Sequence, residues 1–108
     1  MKGEHVGEFE ELVLLTVYGL GSEAYGVTIQ EALERAAERW VSMGAVYAAL
    51  DRLERKGYVK SRTGGRTKQR GGRRKRFFSV SRSGVAVLGA MRRIRERMWQ
   101  QIEEETTL

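Results

Sequence analysis

The residues with the clearest chemical potential form a long run of cations in the second half of the chain. Between Glu54 and Glu96 there is no carboxylate, while fifteen Lys and Arg residues fall in that interval. Residues 1–54 contain four basic and ten acidic residues, a net charge of −6, whereas residues 55–108 contain sixteen basic and four acidic residues, a net charge of +12. Such a block repels itself unless a polyanion neutralises it, and nucleic acid is the commonest polyanionic partner. The pattern predicts a nucleic-acid-binding surface, with a solvated basic surface that binds nothing specific as the alternative.

Few residues of the chain could support catalysis. There is no Cys, and the single His, His5, lies near the start of the sequence. Disulfides, thiolate metal sites and a Cys nucleophile are therefore excluded. The segment Gly19-Leu20-Gly21 lacks the third glycine of a dinucleotide-binding fingerprint and follows a predicted helix rather than a strand. We expect no enzyme activity, no metal site and no cofactor.

Length and composition indicate one small domain. The chain has 108 residues, of which 41% are hydrophobic and 31% charged, enough apolar material for a core. A domain of this size buries a modest share of its surface, so association with a second copy would stabilise it. No apolar run approaches the roughly 18 residues of a membrane span, and residues 1–4 lead into no signal-peptide core. We expect a cytoplasmic protein without a membrane partner.

Hydrophobic periodicity predicts four helices and two strands. The helices cover about residues 8–20, 26–39, 42–56 and 81–105, and the strands cover residues 58–62 and 76–80. Ser42 and Ser81 are suitable N-caps, and Gly57 fits the position after a helix end. The order predicts a mainly α fold with a small β-hairpin. It consists of a winged helix-turn-helix DNA-binding domain in residues 1–80 and a C-terminal dimerisation helix and tail in residues 81–108.

The third helix has the composition of a recognition helix. Its predicted buried face carries Val46, Leu50 and Leu53, and small residues at the start of its opposite face would let the backbone approach DNA closely. The major groove, about 12 Å wide, admits such a helix, whose first residues then meet base edges. The predicted DNA-binding residues of this helix are Ser42, Met43, Tyr47, Ala48 and Arg52. For Tyr47, packing in the core is an equally weighted alternative.

The hairpin that follows would form the wing. Its Gly pairs permit close backbone approach, and Arg makes two-pronged contacts with phosphate. The predicted DNA-binding residues of this Gly- and cation-rich segment are Arg66, Lys68, Arg70, Gly71, Gly72, Arg73, Arg74 and Lys75, and at least three of its cations are expected to contact phosphate. As the alternative, Arg74 and Arg76 are only the outward residues of a strand. Because the signal is compositional, it carries no sequence specificity.

The last helix predicts a dimer interface. Val87, Met91, Ile94, Met98 and Ile102 recur at spacings of four, three, four and four, close to a heptad seam. We expect these residues, with Trp99 and with Phe9 and Leu12 of the partner's first helix, to form a homodimer interface; packing onto the chain's own first helix is the alternative. A twofold dimer would bind DNA half-sites about 34–36 Å apart. Met91, Met98 and Trp99 could also line a pocket for a small planar aromatic effector.

Motifs in order over about residues 7–90 resemble the PadR family of transcriptional regulators. They are Gly7 to Leu15, the pair Tyr25-Gly26, Ser42 to Tyr47 with Leu50, Arg52, Leu53, Glu54, Gly57 and Tyr58, and the segment Gly71 to Lys75. The Tyr-Gly pair and the Gly-Gly-Arg segment are specific in combination. The chain resembles the short subfamily, which ends with one dimerising helix.

The resemblance implies a dimeric winged-helix repressor that binds a palindromic operator and that small planar molecules release in some members. It places Ser42, Tyr47 and Ala48 in the recognition helix and the segment Gly71, Gly72, Arg73 and Lys75 in the wing. Two departures stand out, Met43 where Pro commonly begins the third helix, and Phe77-Phe78 where Tyr is usual. Rival interpretations are an RNA-binding or ribosome-associated basic module and an adaptor whose wing binds acidic protein.

Overall fold

The computed structural model describes residues 6–66 and 74–106. Its elements are α1 (Glu8–Leu20), a short 3-10 turn (Gly21–Glu23), α2 (Gly26–Ala37), α3 (Met43–Arg55), β1 (Val59–Arg66), β2 (Arg74–Val80) and α4 (Arg82–Thr106). The predicted fold class and element order are confirmed. The differences lie at the ends, because α2 stops two residues earlier than predicted and both strands run further towards the hairpin tip.

Local side-chain and backbone chemistry sets the helix boundaries. The Ser42 hydroxyl accepts a hydrogen bond from the Ala45 N–H at 3.0 Å and caps α3, as serine does at this position in many helices. The Ser81 hydroxyl accepts from the Gly84 N–H at 3.1 Å and caps α4 in the same way. At the end of α2, Glu38 takes the left-handed conformation with φ of 55°. That conformation cannot continue a helix, so the chain turns towards α3.

Three helices enclose one core beneath the hairpin. Helix α1 packs against both α2 and α3, and α2 packs against α3. The buried stripe of α1 is Val13, Leu14 and Val17, whereas Leu15, which the pattern places on the apolar face, is 48% exposed. The largest fully buried side chains from the three helices and the first strand are Val13, Leu14, Val17, Ile29, Leu33, Val46, Leu50, Leu53 and Val59. The predicted buried face of α3 is thereby confirmed.

The hairpin is antiparallel and is tied to the helices along its second strand. Val59 pairs with Val80 at its base, and the register shifts between Thr63 and Arg66. Tyr25, just before α2, forms an isolated antiparallel bridge with Phe77. The Phe78 N–H donates to the Ala24 carbonyl at 2.9 Å. These bonds fix the base of the wing against the start of α2.

Helix α4 extends well beyond the rest of the chain. With 25 residues it is about 37 Å long at 1.5 Å per residue. Its first turns pack against α1 and β2, but every residue from Arg92 to Thr106 is exposed. Within the described ranges, no helix combines the length and apolarity needed to cross a membrane.

Candidate nucleic-acid interface

The link between α2 and α3 is fixed by side chains of α2. The Val41 N–H donates to a Glu34 carboxylate oxygen at 2.9 Å, and the Gln30 amide donates to the Val41 carbonyl at 2.8 Å. The Val41 side chain is itself buried. Because both backbone groups and the side chain of Val41 are held, the turn sets the orientation of α3 relative to α2. The two helices form the predicted helix-turn-helix.

The outward side of α3 carries small residues at its start. Gly44, Ala45 and Ala48 are exposed, while Ser42 and Met43 are half-buried. A surface without long side chains lets another backbone approach closely. This part of α3 therefore has the shape that the recognition-helix prediction requires, and the base contacts of its residues stay predictions.

Tyr47 lies between the helix surface and α2. Its side chain is 37% exposed, and a Cβ atom built on Gly26 would lie 2.2 Å from the Tyr47 hydroxyl oxygen. The Tyr47 ring thus covers the start of α2 at a point where only glycine leaves room. This contact gives a physical reason for the glycine of the Tyr25-Gly26 pair.

The structure places Arg52, a predicted DNA-binding residue, in an ion pair that the sequence pattern does not predict. The Arg52 Nε donates to the Glu10 carboxylate at 2.5 Å, and the Lys56 ammonium donates to the same carboxylate at 2.8 Å. Burial opposes ionisation of Glu10, but the hydrogen bonds from Lys56, Arg52 and the Gly7 N–H outweigh it and lower its pKa. Contact between Arg52 and a phosphate would have to compete with this pairing.

The described part of the wing includes only some of the predicted phosphate contacts. Lys68, Arg70, Gly71, Gly72 and Arg73 lie outside the described residues, and for Arg66 and Arg74 the description covers the backbone alone. Lys75 is described, and its ammonium nitrogen lies 4.0 Å from the centroid of the Tyr25 ring.

Arg76, for which the alternative was an outward position on a strand, faces α3 instead. Its guanidinium donates to Glu54 at 2.6 Å and lies 4.0 Å from an Asp51 oxygen. Both carboxylates lie on α3, so these ion pairs connect the second strand to that helix and favour a structural role for Arg76.

The predicted dimer seam divides into two parts. Phe9, Leu12, Val87 and Met91 are partly buried and pack against the chain's own core. By contrast Ile94, Met98, Trp99 and Ile102 are between 48% and 59% exposed. Intramolecular packing therefore accounts for the first turns of α4, but it leaves the apolar residues further along the helix uncovered.

A groove between α1 and α4 continues this exposed apolar surface. It forms an open depression of about 420 Å³ lined by residues of both helices: Glu11, Leu15, Tyr18, Val85, Leu88, Gly89, Arg92, Arg95, Glu96 and Trp99. A second, smaller depression is lined by Arg95, Met98, Trp99 and Ile102. Of the three residues predicted to line a ligand pocket, Trp99 borders both depressions and Met98 borders the smaller. Met91 borders neither, because it packs against the core.

Two residues of the site were missed by sequence reasoning. Glu10 could have been found, since it lies three, four and seven residues before Val13, Leu14 and Val17 and so shares their buried stripe. Arg62, whose guanidinium carbon lies 4.9 Å from the centroid of the Phe77 ring, could not, because its partner depends on the register of the hairpin.

The helix-turn-helix, the adjoining hairpin and the long final helix together define a winged-helix protein with an extended C-terminal helix. The family described as "Transcriptional regulator PadR-like family" matches residues 14–90. The chain belongs to this family of transcriptional regulators. None of the curated proteins matches the chain significantly.

Solved structures share the fold at low sequence identity. A PadR-like transcription factor from Bacteroides fragilis is 19% identical, with a TM-score of 0.66 over 92% of this chain and 86% of that one. A PadR-like regulator from Bacillus cereus is 16% identical, with a TM-score of 0.69 over 89% and 88%. Bacillus subtilis PadR in complex with operator DNA is 20% identical, with a TM-score of 0.62 over 77% of this chain and 46% of that one.

Proposed function

We propose that the chain is a homodimeric, sequence-specific repressor that binds a palindromic operator on double-stranded DNA. The observation that carries the proposal is the arrangement of α3 and the wing. A helix whose outward side begins with small, exposed residues lies directly beside a hairpin rich in cations. The relative from Bacillus subtilis, which was solved with operator DNA, supports the same use of the fold.

In this proposal the first turns of α3 enter the major groove. Ser42, Met43, Tyr47 and Ala48 meet base edges, and the small side chains of Gly44 and Ala45 let the helix approach. Arg52 contributes to phosphate binding only when it leaves Glu10. The Gly- and Arg-rich segment of the wing contacts phosphates through Arg66, Lys68, Arg70, Gly71, Gly72, Arg73, Arg74 and Lys75.

The proposed functional unit is a homodimer. Residues 1–80 bind DNA, and residues 81–108 hold two subunits together through the exposed apolar residues of α4. Ile94, Met98, Trp99 and Ile102 are exposed in the isolated chain, and apolar surface of this extent on one helix face is typical of an interface. A twofold dimer would present its two recognition helices to half-sites about one helical turn apart.

The groove between α1 and α4 is the place where a small planar aromatic effector would bind. Its volume of about 420 Å³ lies within the range of small-molecule sites, roughly 300–1,000 Å³. Apolar side chains and Trp99 would stack on a planar ligand. Since α1 also packs against α3, an occupant of this groove could alter the position of the recognition helix.

Selection of bound duplexes from a random pool tests the proposal most directly. We expect the selected sequences to share an imperfect palindrome with half-sites about ten base pairs apart. If a dimer neutralises about 6–10 phosphates, the logarithm of affinity should fall with the logarithm of salt concentration with a slope of roughly −5 to −9. Preference for structured RNA over duplex DNA, or no enrichment of any sequence, would contradict the proposal.

A further inference from the structure

The outer face of the wing carries a row of side chains that the register of the sheet brings together. Arg62 pairs with Phe77 across the two strands, and Tyr25 pairs with Phe77 on its other side. Residues directly opposite one another in antiparallel strands point to the same face. Lys75 lies two residues before Phe77 and therefore shares this face. These four residues, Tyr25, Arg62, Lys75 and Phe77, form the outer row.

Within the outer row each cation is held over an aromatic ring. The Arg62 guanidinium carbon lies 4.9 Å from the centroid of Phe77, and the Lys75 ammonium lies 4.0 Å from the centroid of Tyr25. The two rings meet edge to face, with centroids 5.4 Å apart and planes at 68°. The Phe77 ring lies so close to the backbone of Gly64 that an added Cβ would be 2.4 Å from it. The rings are thus a packed platform on which the cations rest.

The inner face of the same hairpin provides a contrast. There Arg76 also lies over a ring, 4.9 Å from the centroid of Phe78, but its guanidinium donates to Glu54 of α3. Of the described carboxylates, none lies within ion-pair distance of Arg62 or Lys75, whereas Arg76 has two, Glu54 and Asp51. Among the described residues, Arg76 is therefore paired with carboxylates of the protein, whereas Arg62 and Lys75 are not.

We propose that Arg62 and Lys75, mounted on Phe77 and Tyr25, form a phosphate-binding site for duplex DNA at the base of the wing. The inference rests on the proposed function and adds Arg62 to the DNA-binding surface, with Tyr25 and Phe77 as positioning residues. A ring attracts a cation through its π face and leaves N–H donors free for a phosphate oxygen. Because the ring already restricts the long side chain, less rotamer freedom is lost when phosphate binds.

The first experiment compares Arg62→Gln and Lys75→Gln with Arg76→Gln, which removes a ring-mounted cation from the inner face. Each outer-row variant should weaken binding to specific and non-specific duplexes alike by roughly tenfold, and make the salt slope shallower by about 2 for a dimer that loses two phosphate contacts. Arg76→Gln should leave the slope unchanged. Thermal unfolding of each variant checks that it is folded at the temperature of the binding measurement.

The second experiment removes the platform and keeps every charge. Tyr25→Leu should weaken binding severalfold, and Tyr25→Phe, which retains the ring, should restore it. Phe77→Leu and Phe77→Tyr form a second such pair. If the Leu variants bind like the parent while Lys75→Gln weakens binding, the rings do not position the cations and that part of the inference is wrong.

The outcomes for the inference and for the proposed function are separable. If the parent protein binds no duplex at low ionic strength, the proposed function fails and the phosphate site fails with it. If the parent binds with a steep salt dependence, but Arg62→Gln and Lys75→Gln retain its affinity and slope, only the phosphate site is overturned.

Discussion

Glu10 of α1 and Arg52 of α3 are joined by a 2.5 Å hydrogen bond in which the guanidinium Nε donates to the carboxylate. Lys56, the residue that follows the end of α3, donates to the other carboxylate oxygen. The carboxylate is buried, whereas the two cations are only partly so. The pairing anchors α3 to α1, the helix that forms one wall of the α1–α4 groove. A shift of α1 would therefore be transmitted to α3 through this pairing.

Replacing Glu10 with Gln should lower the free energy of unfolding by about 1–3 kcal/mol at neutral pH, because two charged donors lose an ionised acceptor. The pKa of Glu10 is lowered in the folded state, so its contribution is fully present above the unfolded value, about 4.3. That contribution is lost as the pH falls through the folded pKa. Urea unfolding of parent and variant should give curves that converge in acid.

The matched control for Glu10 is Glu96→Gln, which removes an exposed carboxylate paired with Arg92 at i,i+4. An exposed pair of this kind contributes about 0.3–0.5 kcal/mol. A loss for Glu10→Gln no greater than the loss for this control, or one that persists unchanged at low pH, would show that the α1–α3 pairing does not stabilise the fold.

Two glycines of α4 should respond in opposite directions to Ala. A Cβ on Gly84 would lie 2.3 Å from the Tyr58 carbonyl oxygen, so the start of α4 must move away from the Tyr58 backbone at a cost of about 1–3 kcal/mol. A Cβ on Gly89 meets only Arg93, at 3.5 Å, and Ala there should gain up to about 1 kcal/mol of helix propensity. Thermal unfolding separates the two, and equal melting temperatures would contradict the close approach of α4 to the Tyr58 backbone.

Gly26→Ala should move Tyr47 without unfolding the protein. The clash falls on the hydroxyl end of a partly exposed side chain, which can rotate towards solvent. We expect a stability change within about 1 kcal/mol and, if Tyr47 meets a base, an altered sequence preference in duplex selection. Tyr47→Ala should alter the preference at the same positions. An unchanged preference in both variants would assign Tyr47 to packing between α2 and α3.

The order of elements could be predicted because each boundary has a local cause. Ser42 and Ser81 cap helices through hydrogen bonds to residues three positions on, and such caps are readable in a sequence. The buried stripe of α3 follows from helical periodicity, and it is confirmed. The ends of the wing strands are harder to predict, because the segment near the hairpin tip consists of Gly and cations and shows no alternation of apolar and polar residues.

The parts of the site that could not be predicted depend on non-local geometry. Pairing of Arg62 with Phe77 and Tyr25 follows from the hairpin register and from the bridge to α2, neither of which a sequence specifies when the connection is long. Local sequence identifies Glu10 as an acidic residue of the first helical turn, which it is. The helical spacing also places Glu10 on the buried stripe of α1, but its pairing with Arg52 depends on the packing of α1 on α3.

Ile94→Asp should convert a dimer into a monomer. The side chain is 49% exposed in the single chain and lies on the predicted seam, so a buried, unpaired carboxylate would oppose association. Gln100→Asp, which introduces the same charge on another side of the exposed part of α4, is the control. Light scattering should report a lower mass for Ile94→Asp alone. If that variant keeps the parent's mass, the seam is assigned to the wrong residues.

Trp99 should report ligand binding in the α1–α4 groove. Since Trp40 is 80% exposed and would mask the signal, the titration uses Trp40→Phe as the parent. A panel of planar aromatic compounds should include members that quench Trp99 fluorescence saturably, because the indole borders the cavity. Leu15→Arg places a long charged side chain at the wall of the groove and should weaken ligand binding at least tenfold. The Arg side chain would occupy part of the groove, and a bound ligand would remove water from its guanidinium. If no compound gives a saturable change, or if Leu15→Arg binds as the parent does, the groove is not an effector site and Trp99 serves the dimer interface alone.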